Sequence, residues 1–134
     1  MNKINEIKSF LEEYTEFFEE IVEAEKTKLN ILISNDLKAI EENILTQQVN
    51  AKRIENMENR RISLFNQLGY PQKSLKEVMQ SLGEDAYELS NYYNRLEKAI
   101  NLIKHFNKKS LELIRFNLSL SENKTNNYDM KGAR

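Results

Sequence analysis

The chain has 134 residues, of which 31% are charged and 9% aromatic, with no tryptophan and no cysteine. That length suits one domain with a core but not two, and missing cysteines exclude a disulfide framework and thiolate chemistry. A net charge of −1 gives no general attraction to nucleic acid or anionic membranes. Three glycines and one proline punctuate the whole chain, so long stretches can stay helical without interruption.

The first segment, residues 2–33, places Ile4, Ile7, Leu11, Tyr14, Phe18, Ile21 and Leu32 at alternating spacings of three and four, with Glu25 and Lys28 in the gap before Leu32, the stripe of an amphipathic helix. Phe10, Phe17 and Leu29 widen that stripe, so this helix faces more than one neighbour. Its length is about 45 Å at 1.5 Å per residue. Ser34, Asn35 and Asp36 break the pattern, and Asn35 or Asp36 supplies the N-cap of a second helix.

The second segment carries Leu37, Ile40, Ile44, Ala51, Ile54, Phe65 and Leu68 on the same spacing, with Gln47, Glu58 and Arg61 filling the seam positions between them. The short connection makes it the antiparallel neighbour of the first. Gly69, Tyr70 and Pro71 end it. Ser74 and Glu77 form a capping box for a short helix over 75–82, and Gly83 marks a pause before the last long helix over 85–120. Its main stripe is Ala86, Leu89, Tyr93, Leu96, Ile100 and Ile103. The predicted fold is all-α: an elongated antiparallel three-helix bundle, or coiled coil, with a short extra helix before the last long one. One domain covers 1–120. The stretch 121–134 is polar, has no periodic pattern, and reads as a mobile tail.

Charge is uneven. Residues 1–45 hold eleven acids and five bases, and the remainder is basic by five, so an acidic first helix beside a more basic third would partly neutralise. Glu25, Gln47, Glu58 and Arg61 interrupt the apolar stripes. In a hairpin turning near Asn35, Glu25 lies level with the stretch 45–48. Polar seam residues of this kind commonly fix register and partner at some cost in stability, which makes these four a structural polar seam.

Enzyme readings lack parts. His105 is the sole histidine, and Leu102 stands three residues before it, so the Glu-x-x-His pair of di-iron bundles is missing. No glycine-rich phosphate loop or nucleophile elbow occurs. No catalytic residue, metal site or cofactor is expected. Basic pairs such as Lys52-Arg53 and Lys108-Lys109 are diluted by Glu55, Glu58 and Glu112, which disfavours nucleic acid. No run approaches the ~20 apolar residues of a membrane span, and the N-terminus has no signal-like apolar region. A cytoplasmic protein without membrane insertion is the expectation.

The end of the last helix departs from an ordinary bundle helix. Its stripe continues through Asn107, Ser110, Ile114 and Asn117 and so turns polar and small. Meanwhile Leu102, Phe106, Leu111, Leu113, Phe116, Leu118 and Leu120 put apolar groups around much of the circumference. One hairpin cannot cover them all unless the N-terminal aromatics wrap round them. Two roles follow: a stripe that accepts a partner's amphipathic helix, or a structural coiled-coil adaptor that homo-oligomerises, as a homodimer, through the last helix.

In this order along the chain, the residues resemble the FlgN family of flagellar export chaperones. The resemblance rests on Glu25 before the Asn-Asp turn, Leu37, and Glu58-x-x-Arg61 leading to Leu68-Gly69. It continues with Asn107-x-x-Ser110, Ile114-x-x-Asn117-Leu118 and Tyr128-Asp129-x-x-Gly132. It implies a cytoplasmic secretion chaperone that binds the C-terminal helices of the hook–filament junction proteins FlgK and FlgL and delivers them to the flagellar type III export apparatus. The positions carried over to partner binding are Asn107, Ser110, Ile114, Asn117, Leu118 and Tyr128. The apolar neighbours Phe106, Leu113, Phe116 and Leu120 extend that surface. Ser110 and Asn117 differ from the family's commoner residues.

Overall fold

The computed structural model describes the backbone of residues 3–132 and the side chains of residues 3–120. Three long helices, α1 (Lys3–Ser34), α2 (Leu37–Gln67) and α4 (Ser90–Gly132), are joined through a short α3 (Leu75–Leu82) and a 3₁₀ segment (Gly83–Leu89). No strand occurs among the described residues.

The breaks follow local chemistry. Asn35 takes a positive φ of 55°, and Asp36 caps α2 by accepting from the backbone N–H groups of Lys38 and Ala39 at 3.1 and 3.3 Å. Those two donors have no partner inside the helix, which is why a carboxylate there favours a start. Gly69 adopts φ 88°, and the next amide, of Tyr70, returns to the Phe65 carbonyl at 2.8 Å, closing α2 in the left-handed manner that glycine permits. Ser74 and Glu77 exchange side chain-to-backbone bonds of 3.1 Å in each direction, the expected capping box.

Two boundaries differ from the sequence reading. The last α-helix starts at Ser90 rather than near residue 85, because the tighter 3₁₀ winding aligns residues three apart and so turns both Ala86 and Leu89 inward. At the other end the backbone stays helical to Gly132, beyond the end expected at Leu120. The expectation of mobility for 121–134 concerns side chains outside the described residues.

Ion pairs set the directions. Glu13 and Glu20 of α1 reach Arg60 and Arg53 of α2, each at 2.8 Å, so these two helices run antiparallel. Glu19 reaches Arg95 at 2.5 Å and Lys28 reaches Asn107 at 3.2 Å, so α4 runs parallel to α1. The acidic face of α1 thus meets arginines on both neighbours. Helix α1 is the shared element: it packs along α4 and against α2, whereas among the described residues no Cα atom of α2 comes within 8 Å of one in α4. Packed helices lie closer than this arrangement allows, with axes 8–10 Å apart.

The core sits toward the α3 end. Ile7, Leu11, Phe18 and Ile21 of α1 meet Met57 and Phe65 of α2, Val78 of α3, and Leu89, Leu96 and Ala99 of the last part of the chain, all buried. Aromatic packing reinforces it: Phe10 stacks on Tyr14 at 5.1 Å, and Tyr14 meets Phe18 edge-on at 4.8 Å, geometries favoured by the ring quadrupole. Beyond Val22 in α1 and Ala99 in α4, Ser110 is the one fully buried residue among those described.

Candidate partner-binding surface

The polar seam begins inside the core. The Tyr14 hydroxyl donates to Glu58, Arg61 donates to the same carboxylate at 3.1 Å, and a second guanidinium nitrogen of Arg61 reaches the Lys73 carbonyl at 3.4 Å. Burial, and then the bond to Glu58, push the Tyr14 phenol well above its ordinary value of 10, since both disfavour the phenolate. At the core's edge, Arg60 and Arg95 hold the Glu13 and Glu19 carboxyls below the usual range, mainly through direct hydrogen bonds.

Farther along, the seam is less satisfied. Glu25 forms a sheltered ion pair with Lys28 at 2.7 Å, and Lys28 also bonds Asn107 across to α4. The α1–α2 register places Gln47 level with Glu25, but its side-chain Nε2 is buried without a hydrogen-bond partner, as is the Ser110 hydroxyl. Buried polar groups in this state cost stability.

The α4 register explains what happens next. Glu19 and Arg95 are 76 residues apart, and Lys28 and Asn107 are 79 apart, so Ser34, the last residue of α1, stands level with about residue 113 of α4. Past that point α4 outruns the hairpin. Phe116 is 60% exposed and Leu118 58%, and Leu120 and Ile114 are also exposed, as is Leu111 just before it. Asn117 is exposed, while Leu113 and Phe106 are half-buried; Lys26 lies 5.8 Å above the Phe106 ring. The N-terminal aromatics do not wrap this end, because they are already packed in the core at the opposite end.

One position of the expected surface stands apart from the rest. Ser110 is only 1% exposed; its small side chain points between α4 and its neighbours, so it is not displayed to a partner in this conformation. Asn107 is exposed but bonded to Lys28. The Tyr128 side chain lies outside the described residues.

Sequence reasoning also missed a surface. Leu37 and Ile44, assigned above to the buried seam of α2, are 73% and 52% exposed, and Ile33, Leu45 and Val49 stand open beside them. The stripe is real, but the hairpin tip has no third helix to close on it. A signal was present: residues 43–51 carry no charge at all, which is unusual for a solvated helix face.

Among the described residues, no cluster of three or more His, Cys, Asp or Glu side chains could hold a metal, and no helix is long and apolar enough to cross a membrane. The family model described as FlgN protein matches residues 1–132. The chain belongs to the FlgN family. As a member of the FlgN family it is a flagellar export chaperone in the general sense, and that family is one of chaperones rather than enzymes. No curated protein and no solved structure matches the chain.

Proposed function

We propose that this FlgN-family chain binds the C-terminal helices of the hook–filament junction proteins FlgK and FlgL in the cytoplasm. It keeps them unassembled and delivers them to the flagellar type III export apparatus, without catalysis. The folded unit is 1–120, and 121–134 continues beyond it. The observation that supports the reading is the overrun of α4, whose apolar side chains Ile114, Phe116, Leu118 and Leu120 lie past the level of the end of α1 and stand exposed. An exposed apolar helix face of that kind suits an amphipathic partner helix. Its members are Leu113, Ile114, Phe116, Asn117, Leu118 and Leu120, with Phe106, Asn107 and Tyr128 flanking. Affinity comes from buried apolar area, and release from contacts that exchange quickly.

Phe116→Asp tests it. The side chain is outside the core, so helicity by circular dichroism should stay unchanged while co-purification with the junction proteins is lost. Persistence of that complex would remove α4 as the binding surface. A homodimer in sedimentation that covers 106–120 and ignores the junction proteins would instead favour the structural adaptor.

A further inference from the structure

The charges on the outer face of α2 are symmetric with their signs reversed. The uncharged stretch 43–51 has Gln47 at its midpoint. Glu42 and Lys52 lie five residues to either side of it, and Glu41 and Arg53 six. Farther out stand Lys38, nine before, and Glu55, eight after. Reflection about Gln47 thus exchanges acid for base at each step, and it exchanges Leu45 with Val49.

The fold turns these residues outward. Positions 43, 47, 50 and 54 are half-buried and Met57 is buried, a three-four series that faces the rest of the bundle. Two residues along a helix turn by about 200°, so Leu45 and Val49 point away from Gln47, and both are exposed. Lys38, Glu41, Glu42, Lys52, Arg53 and Glu55 are exposed with them. Among the described residues, Lys38, Glu41 and Glu42 form no ion pair, and Lys52 has only Glu55 of its own helix, at 3.5 Å. Arg53 is already held by Glu20 at 2.8 Å, which leaves Lys52 as the base free to turn elsewhere.

Residues seven apart return to nearly the same side of a helix. Lys38, Leu45 and Lys52 therefore form one row, and Glu42, Val49 and Asn56 the row beside it. Two such helices laid antiparallel about Gln47 bring the first row of one along the second row of the other. Leu45 then meets Val49, Lys52 meets Glu42, and Lys38 meets Asn56. A parallel pair in register sets Lys52 on Lys52 and Glu42 on Glu42, which is repulsive.

We infer that two copies of the chain associate through this outer face, their α2 helices antiparallel and centred on Gln47. Each copy covers the other's Leu45 and Val49, and the hairpin tips overlap while the two cores stand at opposite ends. The apolar part is small beside a permanent interface, so dimer and monomer exchange. The contact leaves the overrun of α4 free and does not depend on the chaperone reading.

Sedimentation of the full chain over a concentration series should show a monomer–dimer equilibrium. Leu45→Asp acts twice in a symmetric contact and should leave only monomer, with circular dichroism unchanged. Glu42→Lys and Lys52→Glu each juxtapose like charges and should each weaken dimerisation about fivefold. An equal mixture of those two variants should regain the wild-type equilibrium, because opposite charges then face each other again. Direction is read by disulfide formation in this cysteine-free chain. Lys38→Cys should cross-link to Asn56→Cys but not to itself, since its two copies stand about 27 Å apart along the antiparallel pair. A chain that stays monomeric throughout, a mixture that does not recover, or self-cross-linking of Lys38→Cys would overturn the pairing. Phe116→Asp should leave the dimer intact; its loss there would move the contact to α4 and overturn the assignment as well.

Discussion

The two ends of this bundle are made from the same helices and behave as different materials. At the α3 end, three long helices and a capped short one converge on aromatic and aliphatic side chains, and, among the described residues, every ion pair between helices clamps that region. At the hairpin tip, α1 and α2 turn back while α4 continues, so leucines and isoleucines of equal hydrophobicity stay wet. An apolar stripe becomes a core only where a third element arrives to cover it. Periodicity reports that a residue can be buried, and register decides whether it is.

That contrast can be broken at the core first. Phe65→Ala should cost about 3–5 kcal/mol, the usual range for a buried phenylalanine, read as a lower urea midpoint. Leu37→Ala, the same kind of truncation at the tip, should change stability by less than about 0.5 kcal/mol. Comparable losses at both sites would mean that the tip is covered in solution.

The unsatisfied seam offers a sharper test with the opposite sign. Gln47→Leu removes a buried amide donor that has no acceptor and should raise stability by about 1 kcal/mol. A similar but smaller gain is expected for Ser110→Ala. Tyr14→Phe, where the hydroxyl is partnered by Glu58, should instead cost about 1 kcal/mol. Paired polar groups near the core and unpaired ones toward the tip would then give opposite responses in the same denaturation assay.

The smallest effects are in pH. Glu13 and Glu19 titrate lower in the folded chain than their ordinary 4.5, so their contribution is present above that value and lost as pH falls through the folded pKa. Both carboxylates are largely exposed, and screening keeps the effect small. Tyr14 is raised above 10, so its contribution holds below pH 10 and declines as pH rises further. Thermal melts across both windows should show shallow losses at each extreme; Glu19→Gln should flatten the acid limb and Tyr14→Phe the alkaline one.

Much of the fold was legible because the chain's punctuation is so sparse. Asp36, Gly69 and Ser74 each carry a local mechanism for starting or stopping a helix, and each acts where expected. The 3₁₀ segment was not legible, since Glu84 and Asp85 look like a helix start and only packing of Leu89 favours the tighter turn. The overrun of α4 was half visible in its all-round apolar residues. Its limit near residue 113 depends on the parallel register with α1, which no local spacing encodes. Leu37 and Ile44 were misplaced for the same reason, and Ser110 because a small polar residue reads alike at an interface and between two close helices.

Among the described residues, helices α2 and α4 are each fastened to α1 and not to each other. They are jaws on a common spine, and among the described residues widening their gape severs no bond that spans it.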